Sequence, residues 1–271
     1  MKKYNKAPLP FQGQKRNYLK IFNRELQKLC GDGTGWTIVD VFGGSGLLSH
    51  NAKYTCPNAR VIYNDYDNYT ERLSKIETAE QVRRDLLTFV NGYSITDRLP
   101  DETREQIINY LHGKEIDYLT MYNYILYSGN FASNLEDIKK STKFYNRVPK
   151  IPLSCDGYLE GVETVHKCFT ELMTDEFDGN VLYLLDPPYV NTHQGYHRDK
   201  NNYFGLLSQL KLFELMTPPF FYFTSNKSEV MDFVDNENKY SHLFNNCETF
   251  TTKNAISGRS TYLDILITKT T

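Results

Sequence analysis

Residues Val181–Leu185 read Val-Leu-Tyr-Leu-Leu and stop at Asp186-Pro187-Pro188. A strand built from such a run has no polar face for water, so it must be covered on both sides. The prolines donate nothing to a ladder, so the strand ends at Asp186 with a carboxylate at its carboxyl end. Other segments fit a sheet clad in helices. WTIVDVF (Trp36–Phe42) and RVIYND (Arg60–Asp65) read as strands, separated by GGSG and a helix from about Leu47 to Lys53. Leu73–Val90 reads as a helix, and LPDETREQIINYLHG carries a proline start, first-turn acids and a glycine stop. A strand is expected over Val162–Cys168, a helix over Leu206–Met216, a strand over Phe220–Ser225 and a helix over Glu229–Val234. CETFTT and YLDILIT form a closing strand pair. This βαβα alternation predicts an α/β fold, doubly wound, with a mostly parallel sheet and an antiparallel C-terminal hairpin. Residues 93–160 interrupt the alternation and read as an insert.

Composition excludes several classes. With 31 basic and 33 acidic residues in 271, no whole-molecule basic field advertises a polyanion, although a local stripe would suffice. The five cysteines are odd in number, scattered and free of C-x-x-C, which points to a reducing compartment rather than a disulfide framework or structural zinc. No stretch approaches the roughly 18 apolar residues of a membrane helix, and no signal-peptide core opens the chain. The expectation is a soluble cytoplasmic protein.

Three strand ends carry groups suited to a ligand, and doubly wound sheets bind at such ends near the switch in strand order. The first is DVFGGSGLL, where glycines 43, 44 and 46 permit a tight turn and close approach to backbone. It reads equally as an ordinary glycine turn. The absence of G-x-G-x-x-G and G-K-[ST] disfavours a dinucleotide or a P-loop. The second is Asn64-Asp65, whose acid suits the hydroxyls of a ribose or stands as a solvated turn acid. The third is Asp186, costly at the end of a buried strand unless used or hydrogen-bonded.

PFQGQK (Pro10–Lys15), DVFGGSG (Asp40–Gly46), YND (Tyr63–Asp65) and DPPY (Asp186–Tyr189) occur in an order that resembles the Dam-type (alpha-group) adenine-N6 DNA methyltransferases. FTSN (Phe223–Asn226) and GRSTYLDILIT (Gly258–Thr268) continue the similarity. The resemblance implies a Rossmann-like methyltransferase fold with a seven-stranded sheet. Residues 1–92 and 161–271 then form the catalytic domain, and residues 93–160 an inserted, mainly helical target-recognition domain. It implies S-adenosylmethionine as cofactor, held by Phe11, Lys15, Asp40, Phe42, Gly43, Gly44, Ser45, Gly46, Asp65 and Asp186. Phe11 and Lys15 also fit plain helix-start packing. Asp186, Pro187, Pro188 and Tyr189 would be catalytic. The carboxylate and the Pro187 carbonyl accept hydrogen bonds from the exocyclic amine, and Tyr189 stacks on the extruded base. No covalent intermediate and no metal is required.

The resemblance implies double-stranded DNA as partner and a monomer or weak dimer. Lys139, Lys140, Lys143, Arg147 and Arg259 are the candidate DNA contacts, the run from 139 to 150 reading equally as a solvated face. SGNFASN lacks the arginine that the family carries there. Leu119, Tyr122, Ile125 and Leu126 share one helix face, so most tyrosines of this region read as aromatic core. Cys168-Phe169 falls at the third strand's end, near the cofactor adenine. His193, His197 and Arg198 follow D-P-P-Y without metal-ligand spacing and receive no role. A cytosine-N4, RNA-adenine or protein side-chain acceptor remains an alternative, as does a binding protein that has lost turnover.

Overall fold

The computed structural model describes residues 2–127, 132–190, 204–228, 230–236, 238–257 and 260–271. A 3-10 turn at Arg16–Tyr18 leads into α1 (Leu19–Cys30), β1 (Trp36–Asp40), α2 (Leu47–Thr55), β2 (Arg60–Asn64) and α3 (Tyr69–Ser74). Four helices follow: α4 (Ile76–Phe89), α5 (Asp101–Leu111), α6 (Tyr118–Ile125) and α7 (Leu135–Lys139). The chain then returns through β3 (Glu163–Val165), α8 (Phe169–Leu172), β4 (Asn180–Leu185), α9 (Leu206–Leu215) and β5 (Phe220–Ser225). It closes with α10 (Val230–Asn236), α11 (Asn238–Phe244), β6 (Glu248–Ser257) and β7 (Ser260–Lys269).

One compact unit comprises Met1–Ala7, Gly13–Tyr69 and Gly157–Thr271. It holds a seven-stranded sheet in the order β3-β2-β1-β4-β5-β7-β6. The first five strands run parallel, and β7 pairs antiparallel with both β5 and β6. Strand β5 shows why helices cover both faces. Successive residues of a strand point to opposite faces. Phe221 meets Phe22 of α1 at 6.1 Å between ring centroids, whereas its neighbour Tyr222 meets Phe213 of α9 at 6.2 Å. Phe223, on the first face again, meets Tyr18 at 5.6 Å. All six residues of β5 are buried. Because β1 connects to β2 on one side while β4 lies on the other, the order of strands reverses at the β1–β4 pair. Asp40 and Asp186 stand at the carboxyl ends of these two strands.

The other compact unit comprises Pro8–Gln12 and Thr70–Asp156. Its core gathers Val82 and Leu86 of α4, Ile107 and Leu111 of α5, Met121 and Ile125 of α6, and Phe144. Buried Arg83 is satisfied by both carboxylate oxygens of Glu80, each at 2.7 Å, and by the Pro149 carbonyl at 2.7 Å. Arg72 donates to Asp117 (3.0 Å), to the Pro10 carbonyl (2.8 Å) and to Thr120 (3.3 Å), so the Pro8–Gln12 stretch is tied to the start of α6.

Several elements differ from the sequence expectation. Leu73–Val90 is two helices, divided at Lys75, whose backbone leaves helical geometry. The second compact unit includes α4, which buries its apolar stripe among α5 and α6. The third strand spans only Glu163–Val165, and Cys168 is the N-cap of α8 instead. The buried face of α6 consists of Thr120, Met121, Tyr124 and Ile125, with Leu119 and Tyr122 only partly covered. Its N-cap Asp117 accepts from Leu119 N and turns that face inward. Among the described residues all five cysteines are free, no helix is long and apolar enough to cross a membrane, and no His/Cys/Asp/Glu cluster is arranged for a metal ion.

Candidate active site

The end of β1 is built around a buried acid. Asp40 is fully buried, its Oδ2 accepts from Ser49 Oγ of α2 at 2.5 Å, and its Oδ1 has no hydrogen-bond partner among the described residues. Burial pushes its carboxyl up to about 7, against the Ser49 hydrogen bond; negative Asp186 adds to the rise and Lys15 opposes it. The chain then turns through Gly43–Gly46, closed by Gly46 N–H donating to the Gly43 carbonyl at 2.7 Å. Gly43 lies so close to Tyr63 that a Cβ there would sit 2.2 Å from its ring. Gly46 adopts φ 72°, a conformation that glycine takes without a steric penalty. Two tyrosines fasten this turn. The Tyr63 hydroxyl reaches the Gly44 carbonyl at 2.7 Å, and Tyr158 donates to the Ser45 carbonyl at 2.8 Å.

The end of β2 is fastened equally well. Asn64 donates to the Val41 and Lys167 carbonyls, at 2.9 and 3.0 Å, and accepts from Lys167 N–H at 2.9 Å, joining the ends of β1, β2 and β3. Asp65 is buried, and its Oδ1 accepts from Tyr69 N–H at the start of α3 (2.6 Å) and from the Tyr63 hydroxyl (2.9 Å). Tyr63 therefore bridges Asp65 and the glycine turn. The residue at the end of β3 is His166, whose Nδ1–H donates to the Asp65 carbonyl at 2.9 Å. Its ring stacks on Tyr66, which is half-exposed, at 5.4 Å.

At the end of β4, Asp186 Oδ2 lies 2.6 Å from Lys15 Nζ, the two side chains being 16% and 8% exposed. Burial raises the Asp186 pKa, and the positive charge and hydrogen bond of Lys15 oppose that rise. Lys15 also donates to the Gly13 carbonyl at 3.0 Å, and its ammonium lies 5.3 Å from the Tyr189 ring centroid and 5.8 Å from that of Phe223. Pro187 is buried and Pro188 half-buried. The Tyr189 phenol is pushed well above its ordinary value, first by burial and then by Asp186.

Of the sequence-predicted residues, Lys15, Asp40, Gly43, Gly44, Ser45, Gly46, Asp65, Asp186, Pro187, Pro188 and Tyr189 belong to one unit and surround the carboxyl ends of β1, β2 and β4. Phe42 packs against Phe169 at 5.6 Å and Phe204 at 5.5 Å, within the apolar core beneath. Phe11 belongs to the other compact unit, as do the basic residues of the insert. There Lys139 pairs with Glu136 and Lys140 with Asp137, each at 2.7 Å. Arg147 donates to the Leu126 carbonyl at 2.7 Å and lies 5.6 Å from the Tyr127 ring, while Lys143 is exposed. Arg259, His193, His197 and Arg198 lie outside the described residues. Sequence reasoning missed Ser49, Tyr158 and His166. Ser49 sits in a helix that buries polar and apolar residues side by side, and no spacing rule marks it.

Two buried acids, one buried ammonium and an aromatic ring thus converge where a parallel sheet binds ligands. The chain matches the D12 class N6 adenine-specific DNA methyltransferases over residues 11–258. A Haemophilus influenzae protein, named only provisionally as a methyltransferase, is 38% identical over 280 aligned positions, which cover 99% of this chain and 93% of that one. Modification methylase LlaI of Lactococcus lactis subsp. lactis is 22% identical over 221 positions, covering 74% of this chain and 32% of the relative. This chain belongs to the D12 class N6 adenine-specific DNA methyltransferase family and is a DNA methyltransferase.

Proposed function

We propose that this enzyme methylates the N6 amine of adenine in double-stranded DNA, with S-adenosylmethionine as donor and the target base swung out of the helix. The observation that carries the reading is Asp186, a partly buried carboxylate at the end of β4 held beside Lys15 and followed by two prolines. The exocyclic amine is a weak nucleophile because its lone pair is delocalised into the ring. Asp186 and the Pro187 carbonyl accept its hydrogens and draw the lone pair back onto nitrogen, and Tyr189 supplies a stacking face. When bound, the cofactor would supply a sulfonium methyl to the amine, the carbon–sulfur electron pair staying with the sulfur. The methylated nitrogen sheds one proton, for which Asp186 is the acceptor.

The residues fit a cationic cofactor. Asp40 Oδ1 is buried without a partner, a cost that a positively charged ligand offsets. The Gly43–Gly46 turn brings backbone close, and Asp65 serves a ribose. Lys15 lies beside Asp186 at the acceptor side of the pocket. Residues 93–160 carry target recognition, with Lys139, Lys140, Lys143 and Arg147 along the DNA; these phosphate contacts position the enzyme without naming its site. The enzyme acts in the cytoplasm as a monomer or weak dimer.

The test is Asp186→Ala beside Asp186→Asn, assayed by labelled-methyl transfer to DNA and by N6-methyladenine content. Loss of an acceptor that strengthens in the transition state costs roughly two to three orders of magnitude in rate. Cofactor affinity should stay within a modest factor, and the Asn variant should keep residual activity. Near wild-type turnover in a folded Asp186→Ala protein refutes the reading, and methyl transfer to cytosine, RNA or protein instead of adenine replaces it.

A further inference from the structure

A carboxylate can accept hydrogens from a neutral amine only while it is ionised, because the acid form brings a donor of its own. Asp186 is in a place that favours the acid form. The group set against that tendency is Lys15, brought to 2.6 Å from Oδ2 and itself 8% exposed. Its ammonium is enclosed by the Asp186 carboxylate, the Gly13 carbonyl and the rings of Tyr189 and Phe223. Among the described residues, the other ionisable groups that sense Asp186 are Asp40 at the end of β1, Tyr189 after β4, Tyr222 on β5 and Tyr18 before α1. Asp264 on β7 acts on Tyr18 and Tyr189. Lys15 alone in this set is cationic, and Asp40 and Asp264 push toward protonation of their neighbours. An unpaired ammonium here would also repel a cationic methyl donor, whereas the pair presents no net charge.

We propose that Lys15 is a positioning residue for Asp186: it holds the acceptor carboxylate ionised and fixed through Oδ2, so that the base amine meets a prepared anion. This inference rests on the adenine-amine reading of Asp186. It goes beyond pocket closure, since it makes Lys15 serve the acceptor side of the reaction.

The experiment compares the full chain with Lys15→Met and Lys15→Arg. Single-turnover rates are measured with saturating S-adenosylmethionine and DNA across the pH range, cofactor affinity by calorimetry, and the Asp186 carboxyl by carbon-13 NMR, assigned with Asp186→Asn. In Lys15→Met the rate at neutral pH should fall at least about tenfold, and its rising limb should move up by about one pH unit or more, so that activity recovers in alkali. The Asp186 resonance should titrate correspondingly higher, and Lys15→Arg should keep both near their wild-type positions. An unchanged rising limb and an unchanged Asp186 titration in folded Lys15→Met, with weaker cofactor binding as the only effect, overturn the proposal. If the wild-type chain places no N6-methyladenine in DNA, the adenine reading itself fails. The NMR titration still decides the Lys15 role, because it requires no turnover. Should Lys15→Met not fold, Lys15→Gln is read by the same criteria.

Discussion

Replacing Asp40 by Asn isolates the electrostatics of the glycine-turn end of the site in the ligand-free protein. The Asp40 carboxyl is fully buried, one of its oxygens has no partner, and its pKa is pushed from 3.8 to about 7. Between these values the native state keeps a proton that the unfolded chain has released. Stability therefore falls as pH rises through this window: the contribution is complete below pH ~4 and lost above pH ~7. A displacement of about three pH units corresponds to at most about 4 kcal/mol, and relaxation around the buried anion brings the expected change to about 2–4 kcal/mol. The Asn side chain keeps an acceptor for Ser49 Oγ but buries a further donor, at a cost of about 1–3 kcal/mol. Asp40→Asn should therefore be the less stable protein at pH ~4 and should gain about 2–4 kcal/mol on wild type by pH ~8. Urea unfolding followed by circular dichroism, stepped through this range, reads the difference. His50, whose pKa is lowered to about 4 by burial, loses stability in the opposite direction, as pH falls below 6.5. It is common to both proteins and cancels. Parallel stability curves for the two proteins would refute the reasoning.

Gly43→Ala should destabilise by about 1–3 kcal/mol, since its Cβ would lie 2.2 Å from the Tyr63 ring and must displace it; a thermal melt matching wild type counts against that packing. Asp65→Ala should weaken S-adenosylmethionine binding by roughly 1.5–3 kcal/mol for each hydrogen bond lost to the ribose, and should lower the melting temperature by removing the contacts to Tyr69 N–H and Tyr63. Calorimetry on Asp65→Asn is the discriminating measurement, and unchanged affinity in that folded variant removes Asp65 from the cofactor site.

The acids at the strand ends were legible because a buried apolar run that stops on a carboxylate is visible in one dimension. Asp40, Asp65 and Asp186 each stand at such an end, as read from the sequence. Their neighbours were not. Ser49, His50 and Asn51 are consecutive buried polar residues of α2: Ser49 donates to Asp40, His50 accepts from the Tyr4 amide, and Asn51 donates to the Tyr4 carbonyl. Such a helix has no apolar periodicity to betray which face is inside. The Lys15–Asp186 pair joins segments far apart in the chain, and no spacing rule links them. The apolar stripe of α4 was readable as a buried face, but Ala79, Val82 and Leu86 would suit a sheet as well as helices. The strand over Val162–Cys168 was shortened by tertiary demand, since Lys167 is held by Asn64 and Cys168 starts α8.

The neighbours of β1 differ in when they become available to a growing chain. Val39 pairs with Ile62 across a short helical crossover, but with Tyr183 only after the whole Thr70–Asp156 stretch has been spanned. Closing the longer loop costs more entropy, and non-local parallel pairing is slow. The β1–α2–β2 segment can therefore assemble first, and the residues from 70 to 156 can compact within their own span, which shortens the effective loop for β4. Asp40 and Lys15 are synthesised long before Asp186, so a nascent chain lacks the carboxylate that follows β4 until that strand has left the ribosome. An unfinished polypeptide has half of the switch point and none of the D-P-P-Y end.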